Sequence, residues 1–258
     1  MEIVIAPNRV ALGQFVGQVA GEIIREAIQT NGCCRLVVAT GSSQFEVLDQ
    51  LVQQPGIDWG KVEGYHLDEY IGLDASHPAS FVGYLKQRFV DRVPLKSFFF
   101  LNGKTPPNEL LEQANSQLAG RPINLMLCGI GENGHLAFND PPANFDASEP
   151  YLIVDLDEAC RKQQVGEGWF DSLDQVPTRA ISMSIRQILG AQRILCSVPD
   201  RRKAEAVCNT LEQPVSPLVP ASALRNHAAT TLILDAASAS LLSTEALTKA
   251  RHIPDTAN

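Results

Sequence analysis

Apolar residues recur at intervals of three and four between Val10 and Thr30, where Leu12, Phe15, Val16, Val19, Ile23 and Ala27 fall on one helical face. Asn31-Gly32 then supplies a C-terminal stop, so a helix is expected here. The pattern changes at Arg35–Thr40, a short run rich in β-branched residues that reads as a buried strand. Gly41, Ser42 and Ser43 follow at once, and Phe45, Leu48 and Val52 resume helical spacing. The segment therefore reads strand, tight polar loop, helix. Ile123–Cys128, Arg193–Val198 and Thr231–Asp235 are further buried strands, each separated by room for a helix. Strands alternating with helical stretches imply a mostly parallel sheet covered on both faces. The chain shows no internal repeat or low-complexity linker, and the Pro-rich stretch Pro214–Pro220 is short enough for an ordered loop. The expectation is a single α/β domain over residues 1–258.

In open α/β sheets ligands sit at the carboxyl ends of strands, so the loops there carry the candidate chemistry. Gly41, Ser42 and Ser43 can offer backbone N–H groups and hydroxyls to an anion such as phosphate, or can serve simply as a helix cap. Asp68 and Glu69 end a second strand-like run. One of them could act as a general base, while the alternative is a solvated loop with helix-capping acids. The richest segment runs from Cys128 to Pro142 and contains a literal G-x-G-x-x-G at Gly129, Gly131 and Gly134. That fingerprint must open a helix to hold a dinucleotide, and Pro141-Pro142 would break one. What remains is a glycine-bent loop that presents His135, with Asp140 five residues on. A His paired with a carboxylate can move protons near neutral pH, although a lone loop His is more often incidental. Asn133-Gly134 also reads as a turn dipeptide.

The chain has no G-x-S-x-G elbow, phosphate loop ending in Gly-Lys-Ser/Thr, or H-E-x-x-H pattern. Acid/base chemistry without a cofactor or metal is therefore expected. Six cysteines lie scattered, mostly in apolar runs, and read as reduced structural thiols. With 21 Lys and Arg against 29 Asp and Glu, the formal charge of −8 argues against nucleic acid and anionic membranes as partners. The first residues lack a basic, then apolar, leader, and no stretch approaches the ~20 apolar residues of a membrane span. A cytoplasmic protein is expected, and a homo-oligomer is compatible with the chain.

Taken together, ATGSS, HLDEYIGLDASHPASF, FLNGKTP, LCGIGENGHLAFNDPPANF, PDRRKAEAV and PASALRNH resemble, in order and spacing, the glucosamine-6-phosphate deaminase (isomerase) family, which is related to the 6-phosphogluconolactonases. The resemblance covers about residues 35 to 240. It implies a Rossmann-like three-layer sandwich that converts an amino sugar 6-phosphate and water to a ketose 6-phosphate and ammonia. It also implies roles. Asp68 would take the C2 proton and return it at C1, His135 would open the sugar ring, and Asp140 would pair with that His. Gly41, Ser42, Ser43, Arg161 and Lys203 would hold the phosphate; for the two cations, surface solubility is the plain alternative.

Two positions depart from the family pattern. Many members have Asp where this chain has Asn133, and Glu where it has Asp140, one methylene shorter. The shorter side chain puts contact with His135 in question. A galactosamine phosphate substrate and a non-catalytic sugar-phosphate-binding regulator therefore stand as alternatives, and the GH loop shared with the lactonases adds a 6-phosphogluconolactonase, opposed by DEY and AFND. Allosteric members carry basic residues after the AFN loop, whereas Phe145–Val154 contains no Lys or Arg. Activation by N-acetylglucosamine 6-phosphate is accordingly not expected.

Overall fold

Asn8 starts the first helix by accepting the Ala11 N–H on its side chain, and Gly32 ends it in a left-handed turn (φ 76°) whose N–H reaches the Ile28 carbonyl. The computed structural model describes residues 1–255. In chain order its elements are β1 (Glu2–Ala6), α1 (Arg9–Asn31), β2 (Cys34–Val38), α2 (Phe45–Leu51), β3 (Val62–His66), β4 (Asp68–Tyr70), α3 (Phe81–Arg88), β5 (Ser97–Phe99), α4 (Pro107–Leu118) and β6 (Leu125–Cys128). Then come β7 (Tyr151–Asp155), α5 (Glu158–Gly166), β8 (Arg179–Met183), α6 (Ile185–Leu189), β9 (Arg193–Val198), α7 (Ala204–Glu212), β10 (Thr230–Asp235), α8 (Thr244–Lys249) and β11 (Arg251–His252).

Eight strands form one sheet in the order β11-β1-β10-β9-β6-β2-β3-β5, and every pairing in it is parallel. The apolar runs expected as strands are its central members. Successive side chains leave a strand on opposite faces, so each run feeds two cores. In β6, Leu125 and Leu127 join the core under α1, α2 and α3, while Met126 and Cys128 join the core under α4, α6 and α7. Helix, sheet and helix make the three layers.

The order of strands also positions the site. From β2 the chain moves outward to β3 and β5, whereas from β6 it moves the other way to β9 and β10. Neighbours β2 and β6 therefore send their outgoing loops to opposite sides and leave a crevice between them, the usual ligand position in open sheets. Residues 39–43 leave β2 and residues 129–140 leave β6 at this point.

A second sheet, β4-β8-β7, is small and antiparallel. It was not foreseen, and it changes the setting of the paired acids. Asp68 and Glu69 do not end a parallel strand; they begin β4, after Leu67, facing β8. Tyr70, Phe81, Phe138, Phe170 and Cys160 form a third apolar cluster beside this sheet.

Candidate active site

Adjacent residues of a strand point to opposite sides, and Asp68 and Glu69 divide accordingly. Glu69 accepts from the Tyr70 N–H (2.8 Å), the Val82 N–H (2.9 Å) and the Ser80 hydroxyl (3.1 Å), so it ties β4 to the first turn of α3. Asp68 faces the cleft. Neither acid is solvated, with Asp68 6% and Glu69 1% exposed. Burial, reinforced by Glu69, raises the Asp68 carboxyl well above the ordinary Asp range. Burial also pushes Glu69 up, to about 7, against the pull of its hydrogen bonds. The two readings of this pair are thus divided between them: Glu69 is the helix-end acid and Asp68 is the cleft acid.

The glycine-bent loop doubles back instead of opening a helix. Gly131 N–H donates to the His135 carbonyl (3.0 Å), Gly134 N–H donates to the Gly131 carbonyl (3.1 Å), and the next helix is α5. A Cβ at Gly131 would lie 2.2 Å from His135 Nε2, so only a glycine lets the imidazole sit flat on this turn. The shorter carboxylate does reach the ring, with His135 Nδ1 2.8 Å from Asp140 Oδ1. Burial raises Asp140, but hydrogen bonds from His135, Asn133 and the Asp157 N–H outweigh it and hold the carboxyl below its usual range. Asn133 stands at the centre of this network. Its amide donates to Asp140 (2.9 Å) and Asp157 (3.2 Å), and its Oδ1 accepts the His135 N–H (3.1 Å). As an amide it can bridge two carboxylates that an Asp at this place would repel.

Across the cleft, Gly41 takes φ 92°, a conformation that a side chain would strain, and Ser42 and Ser43 open a short 3-10 turn into α2. Lys203 comes from the loop after β9 and is 5% exposed. Burial lowers its ammonium below the usual Lys range. The Asp200 N–H at the head of this loop is held by the Asp235 carboxylate at 3.1 and 3.2 Å.

The expected site residues Gly41, Ser42, Ser43, Asp68, His135 and Lys203 therefore line one cleft. Arg161 does not join them. Its guanidinium Nη2 donates to the carbonyls of Leu173 and Val176 (3.0 Å to the latter), which makes it a tie between α5 and the following loop; the expected phosphate role is corrected on this point. The sequence reading also missed Gln163, Gln164 and Glu167, which line the cleft from α5 and the residue after it. Their polar cluster carried no motif. Among the described residues, His135, Asp140 and Cys160 form the one group of three potential metal donors, with ligand atoms within 4.8 Å of one another. Burial first, then Asp140 and Asp157, raise the Cys160 thiol. No helix among the described residues is long and apolar enough to cross a membrane.

Residues 7–233 match the family model for glucosamine-6-phosphate isomerases and 6-phosphogluconolactonase. A protein of Streptococcus pneumoniae (strain 70585) named glucosamine-6-phosphate deaminase is 38% identical over 227 residues, which is 88% of this chain and 94% of the relative. A solved structure of a monomeric glucosamine-6-phosphate deaminase superposes with TM-score 0.84 at 30% identity, over 93% of this chain and all of that one. The 6-phosphogluconolactonase of Trypanosoma brucei superposes with TM-score 0.77 at 16% identity over 94% of this chain and 98% of its own, a likeness of fold alone.

Proposed function

Because the chain belongs to the family of glucosamine-6-phosphate isomerases and 6-phosphogluconolactonases, we propose that it is a glucosamine-6-phosphate deaminase in which Asp68 is the base and His135 opens the ring. The observation that carries this reading is a cleft that brings a buried carboxyl and a carboxylate-oriented His together with a buried Lys and two serines. The substrate is a small sugar phosphate. Its phosphate binds at Ser42, Ser43, the amides of residues 41–43 and Lys203, where oriented N–H groups and a cation suit an anion. The catalytic unit is taken to be the whole chain as one domain.

The proposed steps are those that the family resemblance implies for these residues. His135, held by Asp140, passes a proton from O1 to the ring oxygen; the C1–O5 bond breaks and C1 becomes an aldehyde. Asp68 then removes the proton at C2. The C–H electrons form the C1=C2 double bond while the aldehyde oxygen becomes an enol by taking a proton from the substrate ammonium, whose nitrogen is left with a free lone pair. Asp68 returns the proton to C1 as the nitrogen lone pair closes onto C2, giving an imine. Water adds at C2, ammonia leaves, and fructose 6-phosphate remains. A base that both takes and returns a proton works best with a pKa near the working pH, and the raised Asp68 carboxyl moves in that direction. Asn133 fixes Asp140, and through it the ring of His135.

A cytoplasmic setting fits a charged substrate that does not cross a bilayer unaided. With no Lys or Arg in Phe145–Val154, saturation without activation by N-acetylglucosamine 6-phosphate is part of the proposal. The test is to incubate purified protein with glucosamine 6-phosphate and measure ammonia and fructose 6-phosphate, with galactosamine 6-phosphate and 6-phosphogluconolactone in parallel. Ammonia from glucosamine 6-phosphate is expected. Ammonia only from the galactosamine compound would move the reading to that sugar, and lactone hydrolysis without ammonia would overturn it.

A further inference from the structure

The end of the cleft that receives the phosphate already holds an anion. Glu167 is nearly enclosed, with its side chain 6% exposed and Oε1 3.8 Å from Lys203 Nζ. Its Oε1 accepts from Gln163 (2.7 Å), and its Oε2 accepts from the Trp169 indole N–H (3.2 Å) and, more distantly, from the Ser42 hydroxyl (3.4 Å). Two of these partners, Ser42 and Lys203, are the groups assigned above to the sugar phosphate. A buried ammonium left without a counter-charge is costly, so the carboxylate satisfies Lys203 in the ligand-free protein. A phosphate that reaches the same ammonium brings a second anion to the same place, where water is scarce and like charges repel strongly.

We propose that Glu167 is a tethered competitor of the substrate phosphate: it occupies Ser42 and Lys203 in the free protein and must give them up for the phosphate to bind. Gln163 and Trp169 remain as its partners when it withdraws, since both lie on its own segment of chain. The consequence is selectivity. A neutral sugar cannot displace the carboxylate, whereas a phosphate can, and affinity for every phosphorylated ligand is lowered by the exchange. This inference rests on the phosphate placement of the proposed function.

Calorimetric titration with inorganic phosphate tests it, using wild type, Glu167→Gln, Glu167→Ala and Lys203→Met after thermal melting has shown each to be folded. Removal of the competing charge is expected to tighten phosphate binding about tenfold, equivalent to about 1.4 kcal/mol, and to lower KM for glucosamine 6-phosphate in the same direction. Lys203→Met is expected to weaken it. Tryptophan fluorescence should change on phosphate addition to wild type as Glu167 moves and its bond from the Trp169 indole N–H reorients. Phosphate binding that is equal or weaker in both Glu167 variants would overturn the inference. The two proposals fail separately: tighter phosphate binding without ammonia from any amino sugar would sink the deaminase reading and leave Glu167 in its role, while ammonia release without tighter binding would do the reverse.

Discussion

Adding a single methyl group at Gly131 tests the geometry of the His135 loop. The Cβ of Gly131→Ala would lie 2.2, 2.4 and 2.5 Å from His135 Nε2, Cδ2 and Cε1, where ordinary contact begins near 3.4 Å. The imidazole must therefore retreat by more than 1 Å from the turn on which it rests. It cannot do so freely, because Nδ1 is bound to Asp140 at 2.8 Å and the His135 carbonyl is bound to the Gly131 N–H at 3.0 Å. Either the ring leaves its carboxylate or the turn opens. Misplacing a catalytic group by about 1 Å costs about a hundredfold in rate, and a loss of that order in kcat is expected. The phosphate groups come from other loops, so KM should move less than kcat. The assay is steady-state ammonia release from glucosamine 6-phosphate, with the melting temperature as a control for folding. A folded variant whose kcat stays within about threefold of wild type would refute the placement of His135 as the ring-opening group.

Asn133→Asp would set a third carboxylate about 3 Å from Asp140 and Asp157 in place of a donor; slower turnover is expected, with the acidic limb of the pH profile moved upward, and an unchanged profile would contradict the network. The acidic limb of kcat/KM should have its midpoint above the ordinary Asp value of about 3.9, because Asp68 must ionise to act and burial opposes ionisation. A raised carboxyl has the opposite effect on stability. The contribution of neutral Glu69 is full below its ordinary 4.5 and is lost as pH rises through about 7, so denaturant midpoints should fall over that window and fall less in Glu69→Gln. Arg161→Met should destabilise by about 1 kcal/mol in denaturant titrations, because two part-buried carbonyls lose their donor, while binding of inorganic phosphate persists.

The central sheet was legible because its strands are buried on both faces and therefore continuously apolar. Arg193–Val198 has the bounds expected, and Leu125–Cys128 lies inside its expected run. Strands with a partly exposed or polar side were not legible: β7 has a half-buried middle and an exposed end, and β5 is three residues on an edge. The small sheet escaped because β7 is partly exposed and β4, though buried, is only three residues and begins with two acids, and with it escaped the division of labour between Asp68 and Glu69. His135, Asp140 and Asn133 were legible as a cluster because they lie within eight residues of one another. Glu167 was not, since its meaning depends on Ser42 and Lys203, which lie far from it in sequence and meet it only through the fold. Arg161 shows the converse error: a cation near the right segment, turned by the fold toward backbone carbonyls.

The most direct measurement of the central claim uses glucosamine 6-phosphate labelled with deuterium at C2. Wild-type protein should release ammonia with loss of the label from C2 and a slower rate than with unlabelled substrate, and Asp68→Asn should leave the label in place while still binding inorganic phosphate. Loss of the C2 label at wild-type rate in Asp68→Asn, or ammonia release by wild type with the C2–deuterium bond intact, would contradict the assignment of Asp68 as the base.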